Sequence, residues 1–114
     1  KHRKNLTNLI NALVKDGKKV FGYGASTKGN VLLQFCNLTS KQIPYIAEVN
    51  EEKFGSFTPG SHIPILDPNV LDSQYVDFVI IFPWNIADEI LSIYGYLKER
   101  GTKFVIAVPK LKIL

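Results

Sequence analysis

The residues best suited to chemistry lie in one short segment that follows a β-branched and aromatic run. They are Gly22, Tyr23, Gly24, Ala25, Ser26, Thr27 and Lys28. An apolar pattern at helical spacing comes next, so the sequence predicts a strand, a tight turn and a helix. Glycines let a ligand approach the main chain, and the start of a helix presents unpaired N–H groups to an anion. Hydroxyl groups and a lysine ammonium would add donors and positive charge, which is the chemistry of phosphate binding.

The glycine spacing matches a dinucleotide-binding turn only in part. Thr27 stands where that fingerprint has its third glycine, and Gly29 arrives two residues later. The P-loop pattern fails because Asn30 and Val31 follow Gly29 in place of Lys and Ser or Thr. A tight turn that serves only packing is therefore the alternative to nucleotide binding.

Strands and helices alternate along the rest of the chain. The predicted strands cover 20–23, 43–49, 63–66, 76–82 and 102–108, and the predicted helices cover 5–16, 27–38 and 86–100, with a further helix starting near 68. This alternation predicts an α/β fold, a doubly wound parallel sheet of about five strands in the order 3-2-1-4-5.

In such a sheet the ligand crevice lies at the carboxyl ends of the strands, where the strand order reverses. The first and fourth strands flank that point. The loop after the fourth strand is Pro83, Trp84 and Asn85, so it should meet the glycine turn. The Trp84 ring could stack on a base or a sugar face, and the alternative is a buried indole with its N–H satisfied.

Two further positions are candidates for ligand contacts. Glu48 and Asn50 lie at the end of the second strand, where nucleotide-binding crossovers commonly place a partner for a ribose hydroxyl; a charged surface loop is the alternative. His62 follows a predicted type II turn at Thr58-Pro59-Gly60. It could contact a phosphate or a sugar, and a polar cap on the turn is the more ordinary role.

Composition excludes several function classes. The 114 residues form one domain large enough to bury a core, and no apolar run is long enough to span a membrane. The lone Cys36 favours a buried structural thiol and a reducing, cytoplasmic location. No catalytic carboxylate pair, nucleophile–base pair or metal-ligand cluster can be assembled, so we predict no catalytic residue and no metal ligand.

Positive charge is concentrated at the start of the chain. The net charge is +4, and residues 1–19 carry six Lys or Arg against Asp16, which is +5 and leaves −1 for the remainder. This distribution argues against a nucleic-acid surface. We interpret residues 1–18 as a basic helix that connects to a preceding domain, because the chain lacks an initiating Met, and residues 19–114 as the main domain.

Several motifs in the correct order resemble a known family. They are the glycine turn, the segment Thr58-Pro59-Gly60-Ser61-His62-Ile63-Pro64, Trp84-Asn85 with Glu89-Ile90, and Val108-Pro109 through Ile113-Leu114. From Val20 onward the chain is similar to the C-terminal domain of the S-adenosylmethionine-dependent sugar C-methyltransferases. One departure is Ile86, which stands where members of that family have a His directly after the Trp-Asn pair.

The resemblance implies a Rossmann-like domain that binds a nucleoside-diphosphate sugar. The implied contacts are the turn from Gly22 to Lys28, Asn50, His62, Pro83, Trp84 and Asn85. It also implies that S-adenosylmethionine is bound by a preceding methyltransferase domain and that zinc lies in a module at the amino end, so this chain would hold no cofactor. Neither a nucleic acid nor a membrane is an implied partner.

Two other interpretations stay open. The Gly22 and Gly24 turn with Glu48 could instead belong to a stand-alone module that senses NAD or coenzyme A. The absent third glycine at Thr27 and the segment from Thr58 to Pro64 favour the methyltransferase interpretation. The third interpretation is a degenerate domain kept for folding or dimer contacts.

Overall fold

A mostly parallel sheet forms the centre of the computed structural model, which describes residues 2–107 and 110–114. Within those residues the sheet has six strands in the order β3-β2-β1-β4-β5-β6. The strands are β1 (Val20–Tyr23), β2 (Ile46–Ala47), β3 (Ile65–Leu66), β4 (Phe78–Ile81), β5 (Lys103–Ile106) and β6 (Lys112–Ile113). The predicted Rossmann-like fold and the order of its first five strands are confirmed.

The sixth strand is an addition to the predicted sheet. It pairs antiparallel with β5 at the sheet edge, whereas the other neighbouring strands are parallel. Its two residues are exposed, so they lack the apolar run by which buried strands are predicted from sequence. The fifth strand was predicted to reach Val108, which lies outside the described residues, as does Pro109.

Four α-helices cover the described parts of the sheet: α1 (His2–Lys15), α2 (Thr27–Phe35), α3 (Val70–Ser73) and α4 (Ala87–Tyr94). Helix α2 is shorter than predicted because Asn37 adopts a left-handed conformation, with φ of 56°. The helix predicted over 86–100 is α4 with a 3-10 segment at each end, Trp84–Ile86 and Gly95–Arg100. Glycine has low helix propensity, so the helix tightens at Gly95, and Gly101 ends it at φ of 94°.

The core consists of two apolar clusters, one on each face of the sheet. Side chains of β4 alternate between them, because Phe78 and Ile80 belong to the first cluster and Val79 and Ile81 to the second. Helices α1 and α2 pack on the first face, and α3 and α4 on the second. The central strand is therefore buried on both faces, as its continuous apolar sequence predicts.

The topology places two loops at one point of the sheet edge. Strands β1 and β4 are parallel neighbours with Tyr23 opposite Ile81, and the strand order reverses between them. The loops that follow these two strands therefore leave the same edge side by side. Among the described helices, none is both long and apolar enough to span a membrane.

Candidate functional site

The glycines of the turn pack closely against the loop after β4. Gly24 has φ of 91°, and a Cβ added there would lie 2.5 Å from Cδ of Pro83. A Cβ at Gly22 would lie 2.6 Å from Cε2 of Phe82, and one at Gly29 would lie 2.8 Å from Cβ of Phe82. Side chains are thus excluded at all three positions by neighbouring rings, so the glycine spacing serves the contact between the two loops.

The start of α2 is capped within the turn itself. Ser26 is the N-cap residue, and its Oγ accepts the N–H of Gly29 at 3.0 Å. The side chains of Thr27 and Lys28 are exposed in the first turn of the helix. The N–H groups of these two residues have no intrahelical acceptor, because they precede the first full turn. The cationic, donor-rich part of the segment is therefore Thr27 and Lys28.

Trp84 and Lys28 form the two sides of a shallow groove. The Lys28 Nζ lies 5.1 Å from the centroid of the Trp84 ring, which places the ammonium over an aromatic face. The groove has a volume of about 320 Å³ and is completed by Thr27, Val31, Leu32 and Phe35. Trp84 is only half-buried, so part of its ring is accessible from the groove.

A second compartment, a cleft of about 350 Å³, lies on the other side of the turn, beside α4. Its apolar wall includes Val49 and Ile93, which are 63% and 62% exposed, and Ile86, which is 37% exposed. Ser26 and Pro83 line the cleft, and the residues after them, Thr27 and Trp84, line the groove. The two compartments therefore adjoin at the edge where the strand order reverses.

Two charged side chains in the cleft hold the backbone N–H and the backbone carbonyl of Ala25. Oε1 of Glu48 accepts the Ala25 N–H at 2.7 Å, and the Ala25 carbonyl accepts from Nζ of Lys53 at 2.7 Å. Oε2 of Glu48 accepts the N–H of Asn50 at 2.8 Å. Glu48 is 9% exposed, and these bonds satisfy both of its carboxylate oxygens.

Tyr23 lines the inner part of the cleft. Burial raises the pKa of Tyr23 well above its ordinary value, and a hydrogen bond with Tyr94 adds to the rise. The two rings lie 5.2 Å apart. Tyr23 is therefore a neutral hydroxyl at physiological pH.

The remaining candidates from the sequence lie outside both compartments. Asn50 is exposed and its Oδ1 accepts the Glu52 N–H at 3.1 Å, capping a 3-10 turn. Asn85 is exposed next to Trp84. His62 precedes β3, so it lies toward the amino ends of the strands, opposite the turn; its ring stacks on Phe57 at 4.4 Å. Gly60 has the positive φ, 75°, expected of the predicted turn, but the Ser61 N–H donates to the Pro59 carbonyl at 2.8 Å and not to the Thr58 carbonyl as in a type II turn.

Comparison with known proteins decides the family. The sequence profile of the C-methyltransferase C-terminal domain matches residues 1–109. A curated relative, "C-methyltransferase NovU" of Streptomyces niveus, is 34% identical over 112 residues, which is 98% of this chain and 27% of that protein. The chain belongs to the C-methyltransferase C-terminal domain family. It thus spans only about a quarter of the length of this curated relative.

The glycine turn of this C-terminal domain holds Glu48 in internal bonds, which does not favour a nucleoside cofactor such as S-adenosylmethionine at this turn. A nucleoside bound at a turn of this kind uses an acidic group at the end of the second strand for its ribose. Here Glu48 occupies that position, and both of its oxygens already accept backbone N–H groups. The described residues also contain no group of three or more His, Cys, Asp or Glu that could hold a metal ion.

Sequence reasoning missed Lys53 in this C-methyltransferase C-terminal domain. Lys53 lies 28 residues from Ala25 along the chain, in a charged 3-10 segment that carries no motif. The one available signal was Asn50, a capping residue that marks the start of the 3-10 segment in which Lys53 lies. The cleft also contains Ile86, at the position where the family resemblance implied a His.

Proposed function

We propose that this chain is the substrate-binding domain of an S-adenosylmethionine-dependent C-methyltransferase, and that its ligand is a nucleoside-diphosphate sugar. The observation that carries the proposal is the pair of adjoining compartments at the switch point of the sheet. Family membership supports the methyltransferase part, and the name of the NovU relative speaks of the same reaction class.

The groove suits the charged and aromatic part of such a ligand. Lys28 offers an ammonium, and Thr27 offers a hydroxyl and a backbone N–H at the start of α2, which together suit a diphosphate. Trp84 offers an accessible ring face on which a base can stack. The Lys28 ammonium lies over the same ring, so base and phosphate contacts would adjoin.

The cleft suits a less charged group. Its wall of Val49, Ile86 and Ile93 is apolar, and its inner end holds the neutral hydroxyl of Tyr23. A sugar that lacks some of its hydroxyls would present both an apolar and a hydrogen-bonding side to this cleft. Ile86 contributes an apolar contact there, where the family resemblance implies a His.

In this proposal the catalytic step belongs to another part of the protein. S-adenosylmethionine, when bound, supplies an electrophilic methyl group, and the glycine turn described here does not favour this cofactor. The NovU relative is much longer than the aligned segment, which leaves room for a separate domain that binds this cofactor. This chain would bind and orient the sugar in the cytoplasm.

Isothermal titration tests the proposal directly. We expect binding of dTDP or a dTDP-sugar, and no binding of NAD, coenzyme A or S-adenosylmethionine. The variant Trp84→Ala should lose affinity for dTDP, since it removes the stacking face. Binding of NAD or coenzyme A with no response to a nucleotide sugar would overturn the proposal in favour of a sensing module.

A further inference from the structure

The N–H groups that a glycine turn normally offers to phosphate are largely used inside the protein. Gly24 donates its N–H to the Ala47 carbonyl at 2.8 Å, and Ala25 donates to Glu48 at 2.7 Å. The N–H of Gly29 is taken by Ser26 at 3.0 Å. A phosphate could reach the centre of this turn only by displacing one of these acceptors.

The acceptor at the centre is itself an anion. The Glu48 carboxylate is 9% exposed and is held at the end of β2 by a second bond from the Asn50 N–H at 2.8 Å. We infer that Glu48 is a built-in anion that occupies the phosphate position of the glycine turn and excludes phosphate groups from it. Glu48 is thus a specificity-determining residue as well as a positioning residue for the turn.

Lys53 completes this arrangement from the other side of Ala25. Its ammonium donates to the Ala25 carbonyl at 2.7 Å, while the carboxylate accepts from the Ala25 N–H. The Ala25 N–H and the Ala25 carbonyl belong to the two consecutive peptide groups that flank this residue, so each charge meets a backbone pole of opposite sign and the two charges balance one another. The turn is therefore electrically satisfied without a ligand, and a second anion beside Glu48 would be repelled.

The position of Glu48 limits where the diphosphate of a nucleotide sugar can bind, and this consequence rests on the proposed function. The diphosphate of a nucleotide sugar would contact Thr27 and Lys28, at the groove side, and would leave the Ala25 N–H with Glu48. A dinucleotide that places its pyrophosphate on the turn centre would be rejected. The exclusion by Glu48 itself holds for any phosphate ligand and does not depend on the sugar.

Nuclear magnetic resonance of the backbone amides tests the exclusion, with inorganic pyrophosphate as the probe. In the unaltered chain the Ala25 amide resonance should not move during a pyrophosphate titration. In Glu48→Ala the freed N–H should give a saturable shift at Ala25. Glu89→Gln is the matched control, because Glu89 is an exposed carboxylate that lines the same cleft, and it should behave as the unaltered chain does.

Two results would overturn the inference. One is a saturable pyrophosphate shift of Ala25 in the unaltered chain, which can be measured even if Glu48→Ala does not fold. The other is a folded Glu48→Ala variant whose Ala25 amide ignores pyrophosphate. A parallel dTDP titration separates this question from the proposed function. If dTDP does not bind, the proposed ligand is wrong, but the pyrophosphate titration still tests whether Glu48 excludes phosphate.

Discussion

Replacement of Gly24 by alanine measures how tightly the turn and the loop after β4 are joined. Two costs arise at this position. A side chain at positive φ costs about 1–2 kcal/mol, and the φ of Gly24 is 91°. The new Cβ would also lie 2.5 Å from the ring of Pro83, and an overlap of this kind costs about 1–3 kcal/mol. We expect Gly24→Ala to lower the free energy of unfolding by about 2–5 kcal/mol.

Urea unfolding followed by circular dichroism gives this free energy, and two other glycines serve as controls. Gly17 has φ of 80° with no atom within 4 Å of an added Cβ, so Gly17→Ala should lose only the backbone cost, about 1–2 kcal/mol. Gly95 has an open surrounding and φ of −59°, so Gly95→Ala should raise stability by about 0.5–1 kcal/mol. Equal losses at Gly24 and Gly17 would refute the close contact between the loops.

Three further changes test the charges and the buried hydroxyl. Lys28→Ala should weaken binding of dTDP by about 1–3 kcal/mol in isothermal titration, whereas Lys41→Ala, which removes an exposed charge elsewhere, should leave it unchanged. Lys53→Met should lower the free energy of unfolding, measured with urea, by about 1.5–3 kcal/mol, because the Ala25 carbonyl loses a charged donor. An unchanged free energy would show that this bond is not formed in solution. The pKa of the Tyr23 hydroxyl is raised, so the folded protein holds the hydroxyl proton more tightly than the unfolded chain does. The contribution of Tyr23 to the free energy of unfolding is therefore complete below about pH 10 and is lost as the pH rises further. Thermal melts between neutral pH and about pH 11 should therefore show a shallower alkaline decline for Tyr23→Phe than for the unaltered chain, and parallel declines would count against the buried hydroxyl.

The sheet was largely predictable because each strand is indicated by its own short stretch of sequence. Each buried strand carries an apolar run, and each run is separated from the next by a helical pattern, which limits the topology to very few arrangements. The four strands after β1 are nevertheless shorter than predicted: β2, for example, has two residues where 43–49 was expected. Apolar residues such as Ile43 are fully buried without pairing in the sheet, so hydrophobicity alone overestimates strand length.

The site was predictable only where topology brings residues together. The contact between Gly24 and Pro83 follows from the strand order, since both residues lie just after the carboxyl ends of neighbouring parallel strands. The bonds that fix Ala25 could not be derived in the same way, because their partners lie 23 and 28 residues away and carry no periodic signal. The position of His62 could also have been predicted from the sequence, because a residue that precedes a parallel strand lies at the sheet edge opposite the ligand crevice.

The packing of α1 has a consequence for the order in which the protein can fold. Leu6 and Ile10 of this helix are fully buried, and they belong to the same apolar cluster as Val105 and Ala107 near the other end of the chain. During synthesis α1 leaves the ribosome before these partners do. The cluster can therefore close only after β5 has emerged, and until then the apolar face of α1 stays exposed to chaperones.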